Sequence, residues 1–402
     1  MTTYDTYKPS GIEWIGDIPE HWEVKRLKYK ISYQKGKNPK ELKSTQTENS
    51  EIYLAMDYLR DSSKQVFYVE NPEEYVIVND NDILLLWDGS NAGEFIKSKK
   101  GVLSSTMAAL TLNEIDKDYT FHYLKTFEKY LKESTIGMGI PHVNGEEFKN
   151  SLFVLPNINE QDDIATYLDR KTAEIDHIIA NKQKLIALYE EEKQTIINQA
   201  VTRGVDKTVK LKPSGVEWMG NVPEHWKVNR LRHVTDMKSG DGITSENIKE
   251  VGEYPVFGGN GLRGYFDSFT HEGDYVLIGR QGALCGNINY ATGKFWASEH
   301  AIVCTLKGNH ITNWFGEVLR TMNLNQYSVS AAQPGLSIEN LKALQLPVPP
   351  IDEQQTIVAL IEEECSRLDN LIEKYKKQIE LFQEYRTTLI SEVVTGKIKV
   401  EE

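Results

Sequence analysis

Two histidines invite a catalytic reading. His21 and His225 each stand in the tetrapeptide Pro-Glu-His-Trp, between a glutamate and a tryptophan. An imidazole beside a carboxylate could act as a general base, but a base needs a nucleophile to activate. No serine or cysteine stands beside either one, so both are read as hydrogen-bonded structural residues. Cys285, Cys304 and Cys365 are scattered, without CxxC spacing or paired histidines, which points to buried thiols in a reduced, cytoplasmic protein and to no zinc site. The "TGK" at Thr395–Lys397 lacks the upstream glycine of a phosphate loop. No Asn/Asp-Pro-Pro-aromatic tetrapeptide and no glycine fingerprint after a strand occur, so neither a base-methylating centre nor a dinucleotide site is visible. The acidic triplets Glu190–Glu192 and Glu362–Glu364 are read as solvated helix faces. The chain reads as a non-enzyme.

The elements that carry these histidines come twice. "PSGIEWIGDIPEHW" (Pro9 to Trp22) returns 204 residues later as "PSGVEWMGNVPEHW" (Pro213 to Trp226). Further along, at an offset of 193, Gly89 matches Gly282, Gly93 Gly286, Ser105 Ser298, Ala108 Ala301, Pro141 Pro334 and Pro156 Pro349. Glu160-Gln161 and Glu353-Gln354 also match, as do Val201-Thr202 and Val394-Thr395. One unit of about 200 residues has been duplicated, a size that fits a domain with an appendage.

The appendage is a long helix. Apolar residues at Ile164, Leu168, Ile175, Ile178, Leu185, Tyr189 and Ile196 step by threes and fours, a coiled-coil seam interrupted by Lys171, Lys182 and Lys193. The second copy repeats it with Ile357, Ile361, Leu368, Leu371, Tyr375, Phe382, Leu389 and Val393. Asn159 and Asp352 are the expected N-caps, and Gly204 and Gly396 the expected stops. Some 43 residues make a rod of about 64 Å. A single apolar stripe needs a partner, and an antiparallel copy of itself is the simplest.

The globular parts read as α/β. "NDILLLWDG", "AALTL", "GDYVLIGRQG" and "AIVCTLK" look like strands, "FHYLKTFEKYLKES" and "NWFGEVLRTMNL" like short helices. The expected domains are 1–156, 157–204 (first helix), 205–349 and 350–402 (second helix). No apolar run approaches the roughly 20 residues that span a bilayer, and "MTTYDTYKPSG" has no signal-peptide layout. The net charge of −13 argues against a nucleic-acid partner until it is divided. Residues 160–202 and 353–395 each carry 9 acidic and 5 basic residues, whereas 204–352 is nearly neutral.

Two globular domains, each followed by a helix opening "EQ" and closing "AVTRG" or "VVTGK", resemble the specificity subunit of a type I restriction–modification system. The lead-ins "PEHWEVKRL" and "PEHWKVNRL", and "YPVFGGNGLRGYFD…GDYVLIGRQG" in the second copy, resemble that family's target-recognition domains. The first copy departs from this wording with "IYLAMDYLRDSSKQ". The resemblance covers essentially the whole chain. It implies two α/β target-recognition domains joined by two antiparallel coiled-coil helices with pseudo-two-fold symmetry, reading a split site on double-stranded DNA. It also implies two methyltransferase subunits using S-adenosylmethionine and restriction/translocase subunits using ATP and magnesium, with no cofactor in this chain. A type II methyltransferase-nuclease system and a coiled-coil scaffold that binds only protein are the alternatives.

Around the paired glycines, the first copy has Trp87, Asp88, Ser90 and Asn91 where the second has Arg280, Gln281, Ala283 and Leu284. Arginine suits guanine, glutamine suits adenine, and aspartate accepts from cytosine. These loops either read bases or brace the fold. A second candidate region is the turn holding Gly259, Asn260 and Arg263, with Lys238 and Gln333. Lys97, Lys99 and Lys100 are candidate phosphate contacts in the first copy.

Overall fold

The computed structural model describes residues 2–137, 139–282, 284–328 and 335–400. The chain divides into two compact units, Met1–Asn181 with Lys377–Glu402, and Lys182–Lys376.

In the first unit the lead-in is a hairpin of β1 (Tyr7–Pro9) and β2 (Asp17–Pro19). After it, β3 (Glu23–Arg26) pairs antiparallel with β12 (Leu152–Leu155), the strand before the long helix. An antiparallel sheet runs in the order β4 (Ile31–Lys35), β11 (Met107–Leu112), β8 (Ile83–Leu86), β9 (Phe95–Lys97). A second sheet runs β6 (Phe67–Glu70), β5 (Ser50–Leu54), β10 (Gly101–Leu103), β7 (Ile77–Val78), with β5 and β10 parallel. Strand β8 is buried on both faces, which is why it reads as an unbroken apolar run. Ile83 and Leu85 face a core with Tyr119, Tyr123 and Phe153, while Leu84 and Leu86 face Leu54, Leu103 and Met107. Short α1 (Met56–Arg60) follows β5, and α2 (Lys117–Glu133) and α3 (Gly145–Asn150) complete the unit's globular part.

The second unit repeats the plan. Its hairpin is β13 (Leu211–Pro213) with β14 (Asn221–Pro223), and β15 (Lys227–Arg230) pairs with β24 (Gln345–Val348). Its sheets run β16 (Thr235–Ser239), β23 (Ala301–Leu306), β20 (Tyr275–Gly279), β21 (Ile288–Ala291), and β18 (Gly261–Phe266), β17 (Tyr254–Gly258), β22 (Lys294–Ala297), β19 (His271–Glu272). The helices are α5 (Leu231–Val234), α6 (Thr312–Thr321) and α7 (Ile338–Ala343).

Strand registers correct part of the sequence alignment. Ala108 lies opposite Lys35 in the first unit, and Ile302 lies opposite Ser239 in the second. Ala108 therefore matches Ile302, and Ser104 rather than Ser105 matches Ser298, since Met107 and Ala301 donate to those two serine carbonyls. The span from the start of β21 to the end of β22 (Ile288–Ala297) holds one more residue than that from β9 to β10 (Phe95–Leu103), so the offset there becomes 194.

The long helices are α4 (Ile158–Arg203) and α8 (Ile351–Val394). Each unit contains the start of one and the end of the other, packed antiparallel. Ile164, Leu168 and Ile175 share a core with Leu389 and Val393 in the first unit, and Ile197 and Val201 share one with Ile357 and Ile361 in the second. The interrupting lysines are used differently. Lys193 pairs with Asp369 at 2.5 Å, Lys182 lies over the Tyr375 ring, and Tyr375 stacks on Tyr189. Gly204 and Gly396 take φ of +76° and +75°, as stops require. The expected N-caps are wrong. Asn157, not Asn159, accepts from the Glu160 amide at 3.0 Å, and Asp352 lies within the first turn of α8. The proline turn begins the helix earlier than the apolar pattern shows.

Candidate nucleic-acid interface

The duplicated Glu-Gln pair mounts each long helix on its domain. In the first unit His21 Nε2 and Trp22 Nε1 meet the Glu160 carboxylate at 2.9 and 3.0 Å, and Tyr4 Oη adds a third bond at 2.6 Å. Burial, reinforced by that carboxylate, pushes the Tyr4 phenol well up, so it stays a donor. In the second unit His225 and Trp226 hold Glu353 at 2.7 and 2.9 Å. Gln161 donates to the Pro156 carbonyl and accepts from the Asp116 amide. Gln354 does the same with Pro349 and Ile311. Both histidines are thus hydrogen-bonded to the first turn of the long helix that follows their domain. Burial pushes the Cys285, Cys304 and Cys365 thiols up, away from reactivity.

Past these mounts, one backbone lattice appears twice. Val143 donates to the Trp87 carbonyl and Leu336 to that of Arg280. Gly93 donates to Leu86 and Gly286 to Gly279, and the bridges Asp88–His142 and Gln281–Gly335 occupy the same place. Gly93 and Gly286 have φ near +90°, and a Cβ there would press on the backbone at Lys132 or Asn325. The loop geometry is common, while its side chains differ.

In the second unit that loop forms one wall of an open cleft of about 610 Å³. The other wall is the β17–β18 turn, so Gly259, Asn260, Arg263 and Gln281 come together with His300. Leu262 and Leu284 stand about half exposed on its lips. Gln281 and Arg263 are exposed, whereas Arg280 is half-buried with Nη1 donating to Ser239 Oγ at 3.0 Å. Asn260 accepts from Asn287 at 2.7 Å. Lys238 is exposed on β16, outside the cleft lining. Gln333 lies outside the described residues.

The first unit treats its candidates differently. Trp87 belongs to the core, 8% exposed and packed on Tyr33, so it offers no free ring to a base. Asp88 is paired with Lys35 at 3.1 Å. Ser90 and Asn91 are exposed on the loop. Each of the three lysines expected at phosphates has a partner within its own unit. Lys97 pairs with Asp118 at 2.8 Å, Lys99 donates to the Tyr58 carbonyl at 2.9 Å, and Lys100 pairs with Glu51 at 3.4 Å.

The pattern described as the type I restriction modification DNA specificity domain matches residues 19–187 and again 223–381. The chain belongs to this specificity family. It is similar to the type I restriction enzyme MjaVIII specificity subunit of Methanocaldococcus jannaschii, with 32% identity over 96% of this chain and 94% of that one. A 140-residue stretch is 44% identical to the EcoprrI specificity subunit of Escherichia coli, covering 34% of this chain and 35% of that one. Among solved structures, a chain from work on complex assembly and conformational transition of the type I R-M system shares the fold. Its TM-score is 0.75 at 16% identity, covering 95% of this chain and 99% of its own. The HsdS subunit from Thermoanaerobacter tengcongensis gives 0.56 at 14% identity, covering 95% and 98%. No helix among the described residues is long and apolar enough to cross a membrane.

For a member of the specificity family, sequence reasoning missed one cleft residue. His300 carries no motif; only its closeness to Gln281 in the fold marks it. Asn157 and Tyr4 were also missed, although the proline turn and the repeated Glu160 were signals for them.

Proposed function

We propose that this chain is the DNA-reading subunit of a type I restriction–modification complex, each unit reading one half of an asymmetric, bipartite site. The observation that carries this is the repeated loop lattice with unlike side chains. A shared scaffold gives both units the same approach to a duplex, and Gln281 and Arg263 against Asp88, Ser90 and Asn91 give them different preferences. A glutamine presents a donor and an acceptor that match adenine, and a free guanidinium matches guanine.

In this reading the chain performs no chemistry. Two methyltransferase subunits, using S-adenosylmethionine, dock on it, and restriction/translocase subunits, using ATP and magnesium, act from the assembled complex in the cytoplasm. The relatives named above are type I subunits, which favours this assignment over a type II system. The test is to map methylated adenines in cells making the chain with its methyltransferase. Two unlike half-sites with a fixed spacer are expected, and Gln281→Ala should relax one position of one half-site by about 1–3 kcal/mol. No methylated motif, with no shift of any duplex at moderate salt, would favour the protein-only scaffold.

A further inference from the structure

We infer that the two units grip DNA phosphates with different elements, and that in the first unit the grip is the loop after β4, through Lys37 and Lys40. The inference rests on the DNA reading above and concerns which residues supply its electrostatic part.

The segment Lys35–Lys43, "KGKNPKELK", holds four lysines and one glutamate. Lys35 is committed to Asp88 at 3.1 Å and Lys43 to Glu70 at 2.6 Å. Lys37 and Lys40 are exposed, and among the described residues neither has a hydrogen bond, ion pair or ring contact. Lys8 and Lys129 are also unpaired, but they stand on β1 and α2. The loop is tied to the loop that carries the candidate base readers. Lys35 reaches Asp88, and Ser105 Oγ donates to Asn38 at 2.7 Å. Lys37 and Lys40 thus stand on a loop bonded to the β10–β11 turn, whose Thr106 carbonyl accepts from the Trp87 and Asp88 amides of the loop that carries Ser90 and Asn91.

The second unit has the same loop without the charge. Gly36 and Gly240 donate to Met107 and Ala301 at 3.0 Å each, and a Cβ on either would lie 2.2 Å from a carbonyl oxygen. Both loops thus leave their sheets at one point. Where the first unit has Lys37 and Lys40, the second has Asp241 and Thr244. Its uncommitted cations, Lys238 on β16 and Arg263 on β18 among them, are on other elements. An acidic side chain at the Lys37 position repels a phosphate, so the second unit must take its backbone contacts elsewhere.

The test uses the full chain assembled with its methyltransferase subunits, on a duplex carrying the mapped site, with affinity measured from 50 to 200 mM salt. Each lost phosphate contact reduces the log–log salt slope by about 0.9, so K37Q/K40Q should reduce it by about 1.8 while the methylated sequence stays the same. K37R/K40R should keep the wild-type slope. K97Q/K100Q should also keep it, since those lysines are spent within the fold. An unchanged slope in K37Q/K40Q, at an unchanged Tm, overturns the assignment. A wild-type complex that binds duplexes strongly but without sequence preference would overturn the reading of half-sites and leave the slope comparison valid. One that binds no duplex overturns both.

Discussion

Trp226 Nε1 donates to the Glu353 carboxylate across 2.9 Å, fixing the first turn of α8 to the lead-in of its own domain. Trp226 is almost fully buried, so the bond cannot be exchanged for water when its partner is removed. Glu353→Ala should destabilise the fold by about 1–3 kcal/mol, a fall in Tm of about 2–10 °C for a unit of this size. Glu160→Ala should cost more, because Tyr4 loses its acceptor together with Trp22. Thermal unfolding of the two variants checks both the size and the order. Equal, negligible shifts would mean that the carboxylates do not hold the helices.

The glycines of the common loop differ in what surrounds them. Gly282 has φ of +88° with open space around it, while a Cβ on Gly286, at φ +89°, would lie 2.6 Å from the Asn325 amide nitrogen. Gly282→Ala should therefore cost only the left-handed backbone, about 1–2 kcal/mol. Gly286→Ala should cost that and a further overpacking penalty of about 1–3 kcal/mol. Urea unfolding of both variants measures the difference, and equal values would remove the close approach at Asn325 as the reason for Gly286.

His122 couples the first unit to pH. Its ring is buried and meets Asp169 at 2.7 Å, with Asp118 and Lys97 also near it. Burial holds its pKa below the ordinary 6.5, against the opposing pull of Asp169. The folded state thus binds fewer protons than the unfolded one, and stability rises with pH. The contribution is fully present above about 6.5 and is lost as pH falls toward the depressed folded value. Tm measured from pH 5 to 8 should fall more steeply on the acid side for the wild type than for His122→Gln. Parallel curves would count against this residue.

These three sites show what could be read beforehand. That His21 and His225 are hydrogen-bonded was legible from the twice-written Pro-Glu-His-Trp stretch with no nucleophile beside it; that their partners are Glu160 and Glu353 was not, because those carboxylates stand 139 and 128 residues away. The free cations were not visible. Whether a lysine faces solvent or an acid depends on long-range neighbours, and Lys97 finds Asp118 only because β9 packs beside α2. Trp87 misled for a related reason. Its position in the loop suggested a reader, yet the lattice turns its ring onto Tyr33. The one-residue slip at Ser105 arose because matching residue types outvoted the strand register, which only pairing reveals.

The middle of the paired helices offers the last test. Among the described residues α4 buries none between Ile175 and Ile197, and α8 none between Ile372 and Leu389. Added turns there displace no core. Four residues inserted into both helices lengthen each by about 6 Å, close to two base-pair steps of about 3.4 Å. Inserting into one helix alone would shift Lys193 from Asp369 or Asp176 from Arg386, so the paired insertion is the cleaner variant. If the helices set the separation of the half-sites, methylation mapping of the double insertion should return the same two half-sites with a spacer about two base pairs longer. An unchanged spacer, in a protein that still methylates, would show that the distance is set elsewhere.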